Sequence, residues 1–66
     1  MNITIEEQIK CVKREIAMRE RVYPREVRYE KMSQETADKD IASMRAVLQT
    51  LINVVPADGL FGEGSQ

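Results

Sequence analysis

Sixty-six residues make one small domain, near the lower limit for a chain that folds on its own. The mix of 42% hydrophobic and 32% charged residues suits a soluble helical protein better than a disordered chain. A net charge of −1, no histidine and a single cysteine argue against a broad DNA-binding surface, a zinc site and an internal disulfide.

The small net charge hides an asymmetry. Residues 1–32 carry eight Lys/Arg against six Asp/Glu, whereas residues 33–66 carry two against five. Opposed halves of this kind attract each other in an antiparallel hairpin or a dimer. No apolar run reaches the roughly 18 residues of a membrane span. The segment MNITIEEQIK has neither the basic nor the apolar part of a signal peptide. With a free cysteine, this points to the cytoplasm.

In chain order, Thr4-Ile5-Glu6-Glu7 reads as a capping box, with Ile3 as the residue that staples the entry. Glu6 and Glu7 set negative charge against the positive end of the helix that follows. Ile5, Ile9, Val12, Ile16, Tyr23 and Val27 then recur at helical spacing and form one apolar stripe. Arg19 occupies a stripe position, and Met18 and Val22 lie beside it. A kink that rotates the stripe toward Met18 and Val22 is the favoured way to relieve Arg19. The alternative is a buried or interface arginine that needs a carboxylate. Pro24 removes one helical hydrogen bond, so the first helix, about 4–30, is expected to kink near Val22–Pro24 or to join a second piece there.

Ser33 is a good N-cap for a second helix, about 34–55, with Glu35 in its first turn and Met32 able to staple onto Ala37. Ala37, Ile41, Met44, Leu48, Leu51 and Val55 follow as a heptad-like seam. Val47, Ile52 and Val54 add a flank wider than one partner helix covers. Pro56 stops the helix by pushing Val55 out of the α region. The stretch Ala57–Gln66 is expected to be a flexible tail, with Leu60 and Phe61 as residues able to dock.

These elements predict an all-α antiparallel helical hairpin over residues 1–56. Two helices enclose no core, so a homodimer forming a four-helix bundle, or a higher even-numbered assembly, is expected. Its interface candidates are Val47, Leu48, Leu51, Ile52 and Val55.

Catalysis has little support, and no cofactor or metal is expected. Cys11 stands between Lys10 and Lys13 without a partner base, and reads as a small apolar residue beside the stripe. Asp38 and Asp40 fall on different helix faces and do not converge within one chain. The binding candidates are Arg21, Tyr23, Arg25, Arg28 and Tyr29. Arg21, Arg25 and Arg28 share one helical face, which Arg14 and Lys10 extend, and guanidinium clamps phosphate or carboxylate in bidentate fashion. Tyr23 or Tyr29 offers a ring for stacking. The competing expectation is that Glu7, Glu15, Glu20, Glu26 and Glu30 pair with these arginines along an ordinary helical surface.

The run Arg14-Glu15-Ile16-Ala17-Met18-Arg19-Glu20-Arg21-Val22-Tyr23-Pro24-Arg25, followed by Lys31-Met32-Ser33-Gln34 and Ala37-Asp38, resembles a family of small phage and prophage proteins. Their pattern reads REIAMRxRVYPRWV, a short gap, G-R/K-M-T/S-x-x-x-A, then a helix bearing Ile and Met. The resemblance spans roughly residues 11–52. Glu26 stands where tryptophan is common in the family. Glu30 stands where glycine is common, which suggests a more helical turn here. The resemblance implies phage context and a helical hairpin.

The expected function is accordingly that of a non-enzymatic phage accessory protein that binds and inhibits a host factor, plausibly a defence component. One variant sequesters a small anionic nucleotide signal between subunits at Arg21, Tyr23, Arg25 and Arg28. The alternatives are a nucleic-acid-binding accessory of phage recombination or transcription, and a purely structural assembly module.

Overall fold

The computed structural model describes residues 1–55. Two helices, α1 (Ile5–Arg28) and α2 (Gln34–Val54), pack against each other as a hairpin. The expected tail at Ala57–Gln66, with Leu60 and Phe61, lies outside the described residues.

The start of α1 follows from its first four residues. The Glu7 N–H donates to the Thr4 hydroxyl oxygen at 3.0 Å, and the Thr4 N–H donates to Glu7 Oε1 at 2.9 Å. Two donors that the helix itself leaves unpaired are thereby satisfied. The Gln8 side chain adds a bond to the Ile3 carbonyl at 3.2 Å.

Pro24 does not end the helix. α1 runs through it as one element, so the joined-pieces arrangement is not found. The missing amide leaves the Glu20 carbonyl without its usual partner, and Pro24 lies on the exposed side where water can serve it.

The end of α1 corrects an expectation about Glu30. Tyr29 is the C-cap, and Glu30 adopts φ 61°, the left-handed conformation usually given to glycine. The Glu30 N–H donates to the Val27 carbonyl at 3.0 Å and the Lys31 N–H to the Glu26 carbonyl at 2.8 Å. This pair of bonds is a Schellman motif. The turn is therefore not more helical than a glycine-bearing one: the backbone makes the same reversal and Glu30 bears its steric cost. α1 stops two residues short of the expected end.

Ser33 then caps α2, accepting from the Thr36 N–H at 3.0 Å. At the far end Val55 has φ −72° and ψ 129°, the extended conformation imposed on a residue that precedes proline in the sequence.

The core is thin. Ile16, Ala37 and Val55 are the buried apolar residues, and no large side chain among the described residues is fully enclosed. Ile5, Ile9, Val12, Tyr23 and Val27 of α1 meet the half-buried Ile41, Met44, Leu48 and Leu51 of α2 along the seam that the periodicity predicts. The expected rotation of the α1 stripe does not occur. Met18 is exposed, while Arg19 keeps its place at the seam's flank, half-buried. The physical reason is that Arg19 finds carboxylates there. Of the interface candidates, Val55 is buried, Leu48, Leu51 and Ile52 are half-buried, and Val47 is exposed.

Candidate functional site

Arg19 is the centre of a bridge between the two helices. Glu15, Arg19 and Tyr23 are spaced four apart on α1, so their side chains stack along one line of the helix. Across the seam stands Asp40 of α2. The Arg19 guanidinium donates from Nε to Asp40 Oδ2 at 3.0 Å and from Nη1 to Glu15 Oε1 at 2.7 Å. Its Nη1 also reaches the Glu15 carbonyl at 3.1 Å. The Tyr23 hydroxyl donates to the same Asp40 oxygen at 2.6 Å.

Each group alters the protonation of the next. The Tyr23 hydroxyl bond, helped by Arg19, holds the Asp40 carboxyl below its ordinary range against the opposing effect of desolvation. The bond to Asp40, reinforced by desolvation, pushes the Tyr23 phenol up. Glu15 chiefly, with Asp40, raises Arg19 further, so it stays charged. Arg19 thus links the Glu15 and Asp40 carboxylates, and Asp40 Oδ2 accepts from both Arg19 and Tyr23. The cluster clamps α1 to α2.

The bridge settles two expectations. Arg19 takes the carboxylate-paired arrangement and not the one relieved by rotation. Asp40, which carries no signal when compared only with Asp38, converges with residues of the other helix. The sequence did contain a cue. Placing Tyr23 opposite Ile41 in the hairpin puts Asp40 one residue away from a stripe that already holds an unpartnered arginine.

Tyr23 is thereby separated from the arginines with which it was grouped. Lys10, Arg14, Arg21, Arg25 and Arg28 are spaced by four, seven, four and three. At about 100° per residue they fall within a sector of roughly 60° on the continuous α1, along some 27 Å of its length. Tyr23 points about 140–180° away from them, into the seam. Arg21, Tyr23, Arg25 and Arg28 therefore do not line one cavity within a single chain. A small cavity of about 170 Å³ beside Pro24, floored by Tyr23, Val27, Ala37 and Ile41, has none of these arginines in its wall.

All five members of the basic ridge are exposed, and none forms an ion pair among the described residues. The expected pairing with interleaved glutamates does not occur among the described residues, and three of those glutamates, Glu7, Glu15 and Glu20, are engaged elsewhere. Glu15 holds Arg19, and Glu20 reaches across to Arg45 of α2. Glu26 is half-buried on another side of the helix. At the ridge's end the Arg28 guanidinium lies over the Tyr29 ring, 5.6 Å from its centroid, and Tyr29 is 64% exposed. Cys11 corrects its expectation too, since it is exposed beside this ridge and not tucked against the stripe.

No helix is long and apolar enough to cross a membrane among the described residues. No family model matches this chain, and no curated protein or solved structure shows significant similarity to it.

Proposed function

We propose that this chain is a non-enzymatic binding protein that holds an acidic surface of a partner protein against the α1 ridge. The observation that carries this reading is the ridge itself: five exposed basic side chains on one helical face, without intramolecular partners among the described residues. Unpaired cations on a rigid helix have lost little of their capacity to bind. Guanidinium groups in particular meet carboxylates in a fixed, bidentate geometry. The phage context implied by the resemblance makes the partner a host factor in the host cytoplasm, and inhibition of a defence component the form its function takes. The hairpin acts as a homo-oligomer in this reading.

A protein partner fits better than nucleic acid because the remainder of the chain is acidic on balance, which limits the basic area to one narrow stripe. The test is affinity capture from infected or expressing cells, with Arg21→Glu/Arg25→Glu as the comparison. A specific protein should be recovered with wild type and lost with the double variant, whose helicity and mass remain unchanged. Labelled DNA or RNA binding that falls steeply between about 50 and 200 mM salt would instead assign the ridge to nucleic acid. Equal recovery of the partner by both proteins would remove the ridge from the function.

A further inference from the structure

We infer that the C-terminal half of α2 is a self-association surface whose occupant is a second copy of this chain, packed antiparallel across a two-fold axis. The inference rests on the oligomer in the reading above and names its surface and orientation. It is independent of what the ridge binds.

Charge distribution is the first observation. Between Ile41 and Val55 the one charged residue is Arg45, whereas α1 alternates acidic and basic groups along its whole length. Arg45 also turns toward α1 and pairs with Glu20. What faces away is uncharged: Ala42, Ser43, Val47, Thr50 and Val54 are all exposed. A helix that presents such a surface to water gives up the charges that normally keep it there, and depletion of charge marks the centre of an interface.

The second observation is a second seam. Met44, Val47, Leu51 and Val54 are spaced by three, four and three, the interval of a coiled-coil edge. Met44 and Leu51 are half-buried because they also border α1, while Val47 and Val54 are 47% and 55% exposed. One helix thus carries two adjoining apolar edges, and α1 covers only one. A helix in a four-helix bundle is built this way. The hairpin needs the added contact, since Ile16, Ala37 and Val55 are the buried apolar residues of a small chain.

Self-complementarity selects a second copy, and the ends of α2 select its direction. An antiparallel pair centred on Gln49 sets Met44 against the other copy's Val54 and Val47 against its Leu51, because the spacing of three, four and three reads the same in both directions. The last turn of α2 has no basic residue to offset the negative end of its dipole. The antiparallel arrangement keeps the two negative helix ends apart at opposite ends of the pair. A parallel pair would align the two uncompensated ends.

The wild-type protein should sediment as a dimer, with a melting temperature that rises over about a hundredfold range of concentration. Val47→Glu should abolish the dimer and the concentration dependence, because it places two charges in the apolar seam. If Val47 is only a surface residue of a monomer, that substitution will leave mass and melting temperature unchanged, and the inference is overturned. Disulfide trapping gives a readout that does not depend on stability. In a Cys11→Ser background Val47→Cys mixed with Leu51→Cys should cross-link on oxidation, and Ala46→Cys mixed with Leu51→Cys should not. A wild-type monomer with a concentration-independent transition also overturns the inference, as does a monomer that pairs only with another protein. The Arg21→Glu/Arg25→Glu variant should remain dimeric, so a failure of ridge binding is distinguishable from a failure of assembly.

Discussion

At the scale of single residues, the Arg19–Asp40–Tyr23 bridge shows how a polar cluster can look like a defect until its partner is placed. An arginine in an apolar stripe costs free energy only if its charge is left uncompensated. Here the Arg19 guanidinium meets two carboxylates, one of which also accepts from the Tyr23 phenol, and the bridge pins α1 to α2 at one register. Its pH dependence follows from the directions of the shifts. Asp40 is depressed in the fold, so its contribution is present above the ordinary carboxylate range near pH 4 and is lost as pH falls through the lower folded value. Tyr23 is raised in the fold, so its contribution is present below about pH 10 and is lost as pH rises through the higher folded value. Tyr23→Phe keeps the ring in the seam but removes the donor. It should lower the melting temperature across that plateau, diminish the alkaline decline and move the Asp40 titration upward, as followed by thermal melts against pH and by carboxyl NMR. An unchanged Asp40 titration in Tyr23→Phe would show that the hydroxyl bond does not set it.

At the scale of elements, the helix starts were legible and the first helix end was not. Thr4 with Glu7, and Ser33 ahead of Glu35, are side-chain caps whose chemistry is written in the residues that perform it. The Schellman turn is made by backbone, and its usual sign is glycine. With Glu30 in that place the sign is absent, although the conformation is the same. Non-glycine residues pay roughly 1–2 kcal/mol in the left-handed region, partly offset for glycine by its greater entropy when unfolded. Glu30→Gly should therefore stabilise the hairpin by about 0.5–1 kcal/mol, whereas Glu30→Ala should bring no such gain. Urea denaturation of the three proteins decides it, and equal gains for Gly and Ala would point to removal of charge as the cause. The ridge illustrates the opposite difficulty. Glutamates three and four residues from the ridge arginines read as their helical partners, yet Glu15 pairs with Arg19 on another face of α1 and Glu20 with Arg45 of α2. Neighbours along a helix were visible in the sequence, and competitors from the other helix were not.

For the whole molecule, apolar period alone was enough to define the hairpin, because two stripes at helical spacing joined by a capped turn leave few other ways to bury them. Period does not say how much each residue is buried, and the seam is shared by many half-exposed side chains. Only Ile16 of α1 is buried among its stripe residues, which concentrates the hairpin's sensitivity there. Ile16→Ala should cost about 2–4 kcal/mol through lost apolar contact and the space left behind. A domain of this size has roughly 5 kcal/mol or less in hand. The variant should therefore lose most of its far-UV helical signal near 37 °C at low protein concentration, and recover part of it as concentration rises if assembly covers α2. Val12→Ala, which trims a half-buried position of the same stripe, should lose less. A melting curve for Ile16→Ala that matches Val12→Ala would mean the core is evenly spread along the seam, and that stability depends on α1–α2 contact as a whole and not on its most enclosed side chain.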